Sequence, residues 1–172
     1  MLFLKSIHAI DVHTFYWCMA RKHRVLITNI GRAISKTADG PLYAVLAMVF
    51  WYLGEMAWVM IMGTGFLFER LSYFILKKGF KRNRPADILD NFSSFIIPSD
   101  KFSFPSGHTS GAFFMAFLLS DWFPDFQIGW YLWAAHVGLA RIFLGVHFPT
   151  DTLMGALLGS SCAMFALTMV GV

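Results

Sequence analysis

Apolar residues fill the chain from Pro41 to Phe68 with an interruption only at Gly54 and Glu55. A transmembrane helix needs about 20 mostly apolar residues, and this run is longer, so it divides into a hairpin at Gly54 and Glu55. Its members cover about 39–53 and 56–76. Further spans are expected at 106–122, 126–146 and 152–172, the last uncharged throughout. The pattern predicts an all-α integral membrane helical bundle with about five to six transmembrane helices, five by this count. Residues 1–36 mix Phe, Trp, Ile and Leu with Lys, Arg and His and hold no uninterrupted run able to cross hydrocarbon. They read as amphipathic helices lying in the interface. The segment 77–104 is rich in turn formers, among them Asn83, Pro85, Asp87, Asn91, Pro98 and Asp100. It is the one long loop, and Phe92, Phe95, Ile96 and Ile97 within it are apolar enough to dip into headgroups beside a substrate.

Composition strengthens the membrane reading. Of 172 residues, 57% are hydrophobic and 14% charged, against roughly 25% charged in soluble domains. Six Trp, five Tyr and nineteen Phe exceed one small core, and Trp and Tyr suit the headgroup layers. The net charge of +4 is uneven: Arg21, Lys22, Arg24, Arg32 and Lys36 form one cluster, and Lys77, Lys78, Lys81, Arg82 and Arg84 a second. Anionic headgroups account for both. No base-reading motif or stacking platform accompanies them, so a nucleic-acid partner is not expected. Cys18 and Cys162 suggest neither a disulfide framework nor a thiolate metal site, and the N-terminus lacks the signature of a signal peptide. Gly155, Gly159 and Ala163 at four-residue spacing fit close helix packing within the bundle, with a homo-oligomer contact possible but not indicated.

Ionisable residues at membrane depth are functional candidates. Alternating crossings gather Lys77, Arg84, Ser106, His108, Arg141, His147 and Asp151 at one face. Cations, two histidines, a serine and a carboxylate are what phosphoryl transfer requires, because charge accumulates on the oxygens of the moving group. Lys77, Arg84 and Arg141 supply positive charge. Ser106 and Gly107 stand where a helix begins, so free N–H groups and the positive helix end face an anion. Asp151, four residues after His147, can hold one ring nitrogen and leave the other free to attack phosphorus. His108 then protonates the departing oxygen. Each residue alone has an ordinary structural reading, such as a snorkelling cation or a hydrogen-bonded histidine. Their ordered spacing, Lys77-x6-Arg84-Pro85, Pro105-Ser106-Gly107-His108 and Arg141-x5-His147-x3-Asp151, outweighs it.

These motifs resemble the tripartite signature of the type 2 phosphatidic acid phosphatase (PAP2) superfamily. The resemblance covers roughly residues 38–170, dividing the chain into N-terminal helices over 1–38 and a catalytic transmembrane domain over 39–172. It implies that Lys77, Arg84, Ser106, Gly107 and Arg141 bind phosphate, that His108 is the acid, His147 the nucleophile and Asp151 its partner, and that catalysis uses no metal or other cofactor. The implied substrate is a lipid phosphate: undecaprenyl diphosphate, phosphatidylglycerophosphate, phosphatidic acid or a lipid A phosphate. The family's third motif usually begins Ser-Arg, whereas Ala140 precedes Arg141 here, which removes a hydroxyl and is expected to modulate activity. A phosphotransferase of the same superfamily and a non-catalytic lipid-binding or transport bundle are the rival readings. Glu69 and His136 lie outside the motifs and read as structural or interfacial, and His8, His13 and His23 have no assignment. Charge distribution argues for a cytoplasmic basic face. The bacterial relatives imply instead an inner-membrane protein whose site faces the periplasm or exterior, and that is the expectation.

Overall fold

The computed structural model describes residues 2–170; Met1 and positions 171–172, the end of the expected last span, lie outside it. Among the described residues every regular element is helical. Helices α1 (Leu2–Met19) and α2 (Arg24–Lys36) lead into α3 (Gly40–Tyr52) and α4 (Met56–Phe80). A loop holding the short α5 (Pro85–Ile88) connects to α6 (Gly107–Trp122), and a 3-10 turn (Pro124–Phe126) precedes α7 (Gln127–Phe143) and α8 (Pro149–Val170). Gly54 makes the bend between α3 and α4 at φ 81°, where a residue without Cβ is unstrained.

Two of the helix ends that differ from expectation matter most for the site. α4 continues four residues past 76, because lysine is a good helix former and only Lys81, in the left-handed region, closes it. Lys77 therefore projects from a helix, not from a loop. α8 begins at Pro149, a residue suited to the first helical position, so Asp151 sits in its first turn.

Two stretches, Met56–Ile88 and Pro149–Val170, are long and apolar enough to cross a membrane. α6 and α7, with 16 and 17 residues, reach about 25 Å, and α3, with 13, about 20 Å at 1.5 Å per residue. Length alone thus supports two spans and not five. The outer surface supports a membrane protein more strongly. Leu67, Phe68, Leu71, Phe74 and Ile75 of α4, Leu132 and Leu139 of α7, and Leu153, Leu157, Met164 and Met169 of α8 are all exposed, an apolar extent that water does not tolerate. By contrast Trp58 is buried and meets Trp122 and Phe50 edge-on or stacked, so these rings build the core and not an interfacial belt.

α6 lies at the centre, packed on α4, α7 and α8. The small-residue stripe of α8 faces it. A Cβ on Gly159 would stand 2.0 Å from the Ser110 carbonyl oxygen, and one on Gly155 2.6 Å from that of Ser106, distances no side chain permits. The N-terminal helices are built into the same body. Phe15 of α1 is fully buried against Phe148 and Phe92. α2 packs on α7 with Thr28, Gly31 and Ser35 buried, while Val25, Leu26 and Ile30 face outward. The small and polar residues Thr28, Gly31 and Ser35 face the protein, while the outward surface mixes these apolar residues with Asn29, Arg32 and Lys36.

Candidate active site

Three segments remote in sequence are tied together by hydrogen bonds at one end of the bundle. Arg84 Nη1 donates to the Val146 carbonyl at 2.6 Å, which fixes the segment after α4 against the turn after α7. The Ser106 N–H donates to the Asp151 carbonyl at 2.9 Å, which joins the start of α6 to the start of α8. Arg82 Nη1 donates to Asp151 Oδ1 at 2.8 Å, and its Nη2 to Asp11 Oδ2 at 2.7 Å. Asp11 also accepts from the Thr150 N–H at 3.0 Å, so α1 anchors the arginine that holds Asp151.

These ties frame a cavity of about 480 Å³ whose wall includes Lys77, Arg84, Gly107, His108, Arg141 and His147. Six of the eight residues picked out from the motifs therefore share one cavity. The other two stand behind its wall. Asp151 is fully buried, with Oδ2 accepting from the Phe148 N–H at 2.7 Å and lying 3.8 Å from His147 Nδ1. That separation is longer than a hydrogen bond, and His147 Nδ1 has no bonded partner among the described residues. Ser106, expected to bind phosphate, donates its N–H to the Asp151 carbonyl, shares its hydroxyl with Thr109 at 2.9 Å and is buried beside the cavity lining. Gly107, next in sequence, does line it.

Burial pushes the His147 imidazole down to about 4, and the nearby positive charge of Arg141 acts the same way against the pull of Asp151. The ring is neutral at physiological pH. With Nδ1 toward Asp151, Nε2 keeps its lone pair, the state a nucleophile needs. His108 Nε2 and Asp39 Oδ1 are 3.0 Å apart, a pairing that joins the first turn of α6 to the start of α3.

Several residues bonded to this group carry no mark in the local sequence. Arg82 appeared there only as part of a basic cluster, and Asp11 and Asp39 not at all, since nothing in their local sequence marks them. Asp100, noted only as a turn former, accepts from Lys77 Nζ at 2.8 Å and from the Tyr73 hydroxyl at 2.6 Å and is ion-paired with Arg84. Burial alone raises its carboxyl, but the bonds from Lys77 and Tyr73 and the adjacent cations hold it at about 2. Beside Ala140, Arg141 Nη1 donates to the Ser35 hydroxyl of α2 at 2.7 Å. Glu69 is fully buried, paired with Arg70 and accepting from Ser110, and His136 bonds the Leu132 carbonyl of its own helix at 2.7 Å. Of the loop residues read as a rim, Phe92 packs inward on Phe15 and Phe95 lies under Arg24, while Ile97 is 97% exposed.

A family model described as the PAP2 superfamily matches residues 55–172, two-thirds of the chain and all three motifs. The chain belongs to the PAP2 superfamily. Among curated members, a lipid A 1-phosphatase of Rhizobium johnstonii is 36% identical over 100 residues, covering 55% of this chain and 40% of that protein. The chain thus spans less than half the length of that relative. The crystal structure of Aquifex aeolicus LpxE superposes with a TM-score of 0.82 at 27% identity, covering 92% of this chain and 95% of that one. A PAP2-type phosphatidylglycerolphosphate phosphatase from Bacillus subtilis shares the fold, with a TM-score of 0.77 at 23% identity over 95% of this chain and 86% of that one.

Proposed function

We propose that this PAP2 protein is a membrane-embedded lipid phosphatase working through a phosphohistidine on His147. The observation that carries the reading is the convergence of Lys77, Arg84, Arg141, His108 and His147 on one cavity. Lys77 and the two arginine forks hold the phosphoryl oxygens, and the start of α6 at Gly107 adds backbone donors and its positive end. His147 Nε2 forms the P–N bond while the P–O bond to the lipid breaks, and His108 gives its proton to the departing oxygen. As the ring becomes cationic, Nδ1–H donates a hydrogen bond to the Asp151 carboxylate, which stays ionised, closing the 3.8 Å separation. Water then attacks the phosphohistidine, His108 takes its proton, and inorganic phosphate leaves. The same residue serves as acid and then base.

We further propose that α3, α6 and α7 also lie across the bilayer, which would make five crossings with α4 and α8. The site face is proposed to be the periplasmic or outer one, on the resemblance to bacterial relatives, although Arg24 and Arg32 gather on the same face through bonds to the Phe143 and Phe95 carbonyls. Labelling of a cysteine placed at Lys101 by a membrane-impermeant reagent decides the side. The activity is tested with purified protein and four lipids: undecaprenyl diphosphate, phosphatidylglycerophosphate, phosphatidic acid and lipid A. Release of free phosphate from at least one, reduced by at least about 10⁴-fold in His147→Ala, is expected. Phosphate appearing on a second lipid instead would make the protein a phosphotransferase, and no turnover of any substrate would reject the enzyme reading.

A further inference from the structure

The cations of the cavity already hold an anion. Asp100 projects from the loop between α5 and α6, and its carboxylate is shared by Lys77 Nζ, the Arg84 guanidinium and the Tyr73 hydroxyl. Lys77 and Arg84 are both 5% exposed, so a carboxylate bonded to the two of them lies where phosphoryl oxygens must go. The other acid on the cavity wall, Asp39, pairs with His108. Arg141 keeps a free donor, since its Nε has no partner among the described residues. Asp100 can leave without dismantling the loop. Its side chain is 34% exposed, and its backbone carbonyl is separately held by Arg84 Nε at 3.0 Å.

We propose, building on the phosphatase reading, that Asp100 is a tethered competitor for the phosphate site and thereby selects doubly charged phosphate groups. A carboxylate on the same chain acts at an effective concentration on the order of millimolar. A monoanion, such as a phosphodiester, offers Lys77 and Arg84 no more charge than Asp100 already does, so at lower concentration it cannot displace the tethered group. A terminal phosphate carrying two charges offers both cations an oxygen and a third to Arg141, and its Coulombic attraction to the cluster is correspondingly larger. Terminal phosphate monoesters and diphosphates enter, and the diester linkages that abound in membranes are turned away.

The test uses the full chain in detergent, with inorganic phosphate and dimethyl phosphate as probes and calorimetric titration at pH 7.5. Asp100→Asn keeps the size and loses the charge; Asp100→Ser removes most of the group. Both variants are expected to bind inorganic phosphate roughly tenfold more tightly than the wild type and to narrow its preference over dimethyl phosphate. Equal or weaker phosphate affinity in both would overturn the proposal, because Asp100 would then be organising the cations instead of competing for them. The wild type supplies an independent measurement if the variants fold poorly. A phosphate-bound structure should show the Asp100 carboxylate rotated off Lys77 and Arg84, and a carboxylate still on both cations beside bound phosphate rejects the idea. Lipid turnover by the wild type, measured in parallel, tests the phosphatase reading separately: tighter phosphate binding in the variants without any wild-type turnover sinks that reading and leaves the competitor role standing.

Discussion

Replacing Arg82 with methionine removes one cation from between two carboxylates that are otherwise out of water. Asp11 is 1% exposed and Asp151 fully buried, whereas the Arg82 side chain is 20% exposed. Breaking a buried ion pair by deleting one partner costs about 3–5 kcal/mol, and the partial exposure of Arg82 favours the lower end, about 3 kcal/mol. At about 2–4 °C per kcal/mol for a chain of this size, thermal unfolding in detergent should fall by about 6–12 °C. Methionine preserves much of the volume, so the loss reports charge and hydrogen bonding more than a cavity. Asp151 would also lose the donor to Oδ1 and be free to shift from His147, so turnover should drop as well. In the double variant Arg82→Met with Asp11→Leu one of the two unpaired acids is gone, and part of the stability should return without the activity. A shift below about 2 °C with unchanged turnover would show that the Asp11, Arg82 and Asp151 network is not a structural support, and the account of how α1 reaches the site would fail.

Two other outcomes follow from the same geometry. Ring signals of isotopically labelled His147 should stay in the neutral form down to about pH 5, since its proton is taken up near 4 in the folded protein against 6.5 for a free imidazole; the stability this contributes is full above pH 6.5 and falls as pH drops from there toward 4, and a titration near 6.5 would contradict it. Ser35→Ala should weaken phosphate affinity by about tenfold, the loss of one hydrogen bond to a charged group, with little change in kcat, whereas Ala140→Ser should change either parameter little; an unchanged affinity in Ser35→Ala would show that the α2 hydroxyl does not position Arg141.

The motif residues stand out in the sequence because they are concentrated within short windows: His147 and Asp151 are four positions apart, and His108 follows the helix start. Asp11, Ser35, Asp39 and Asp100 were not legible, because the residues they bind are 16 or more positions away and the pairing becomes informative only once the helices pack. Helix ends slipped for a local reason. By hydropathy a lysine at 77 marks the end of a span, yet lysine propagates a helix readily and α4 carries Lys77 into the cavity. Pro149 was the available signal for an earlier start to α8. Hydropathy alone makes the apolar loop residues a lipid-facing rim, but Phe92 packs against Phe15, a neighbour contributed by α1.

The central claim is that His147 receives the phosphoryl group, and it is tested most directly in a variant that can form the intermediate and cannot release it. In His108→Ala the acid and base are missing, so a lipid leaving group departs slowly. An aryl phosphate such as p-nitrophenyl phosphate needs no protonation to leave, yet hydrolysis of the phosphoenzyme still lacks its base. Mixing that variant with the aryl phosphate and locating the modification by mass spectrometry under basic conditions, where phosphohistidine survives, should reveal phosphate on His147 approaching one equivalent, with none in the His108→Ala, His147→Asn double variant. Aryl phosphate turnover with no phosphorylated His147, or with the label on another residue, would contradict the account.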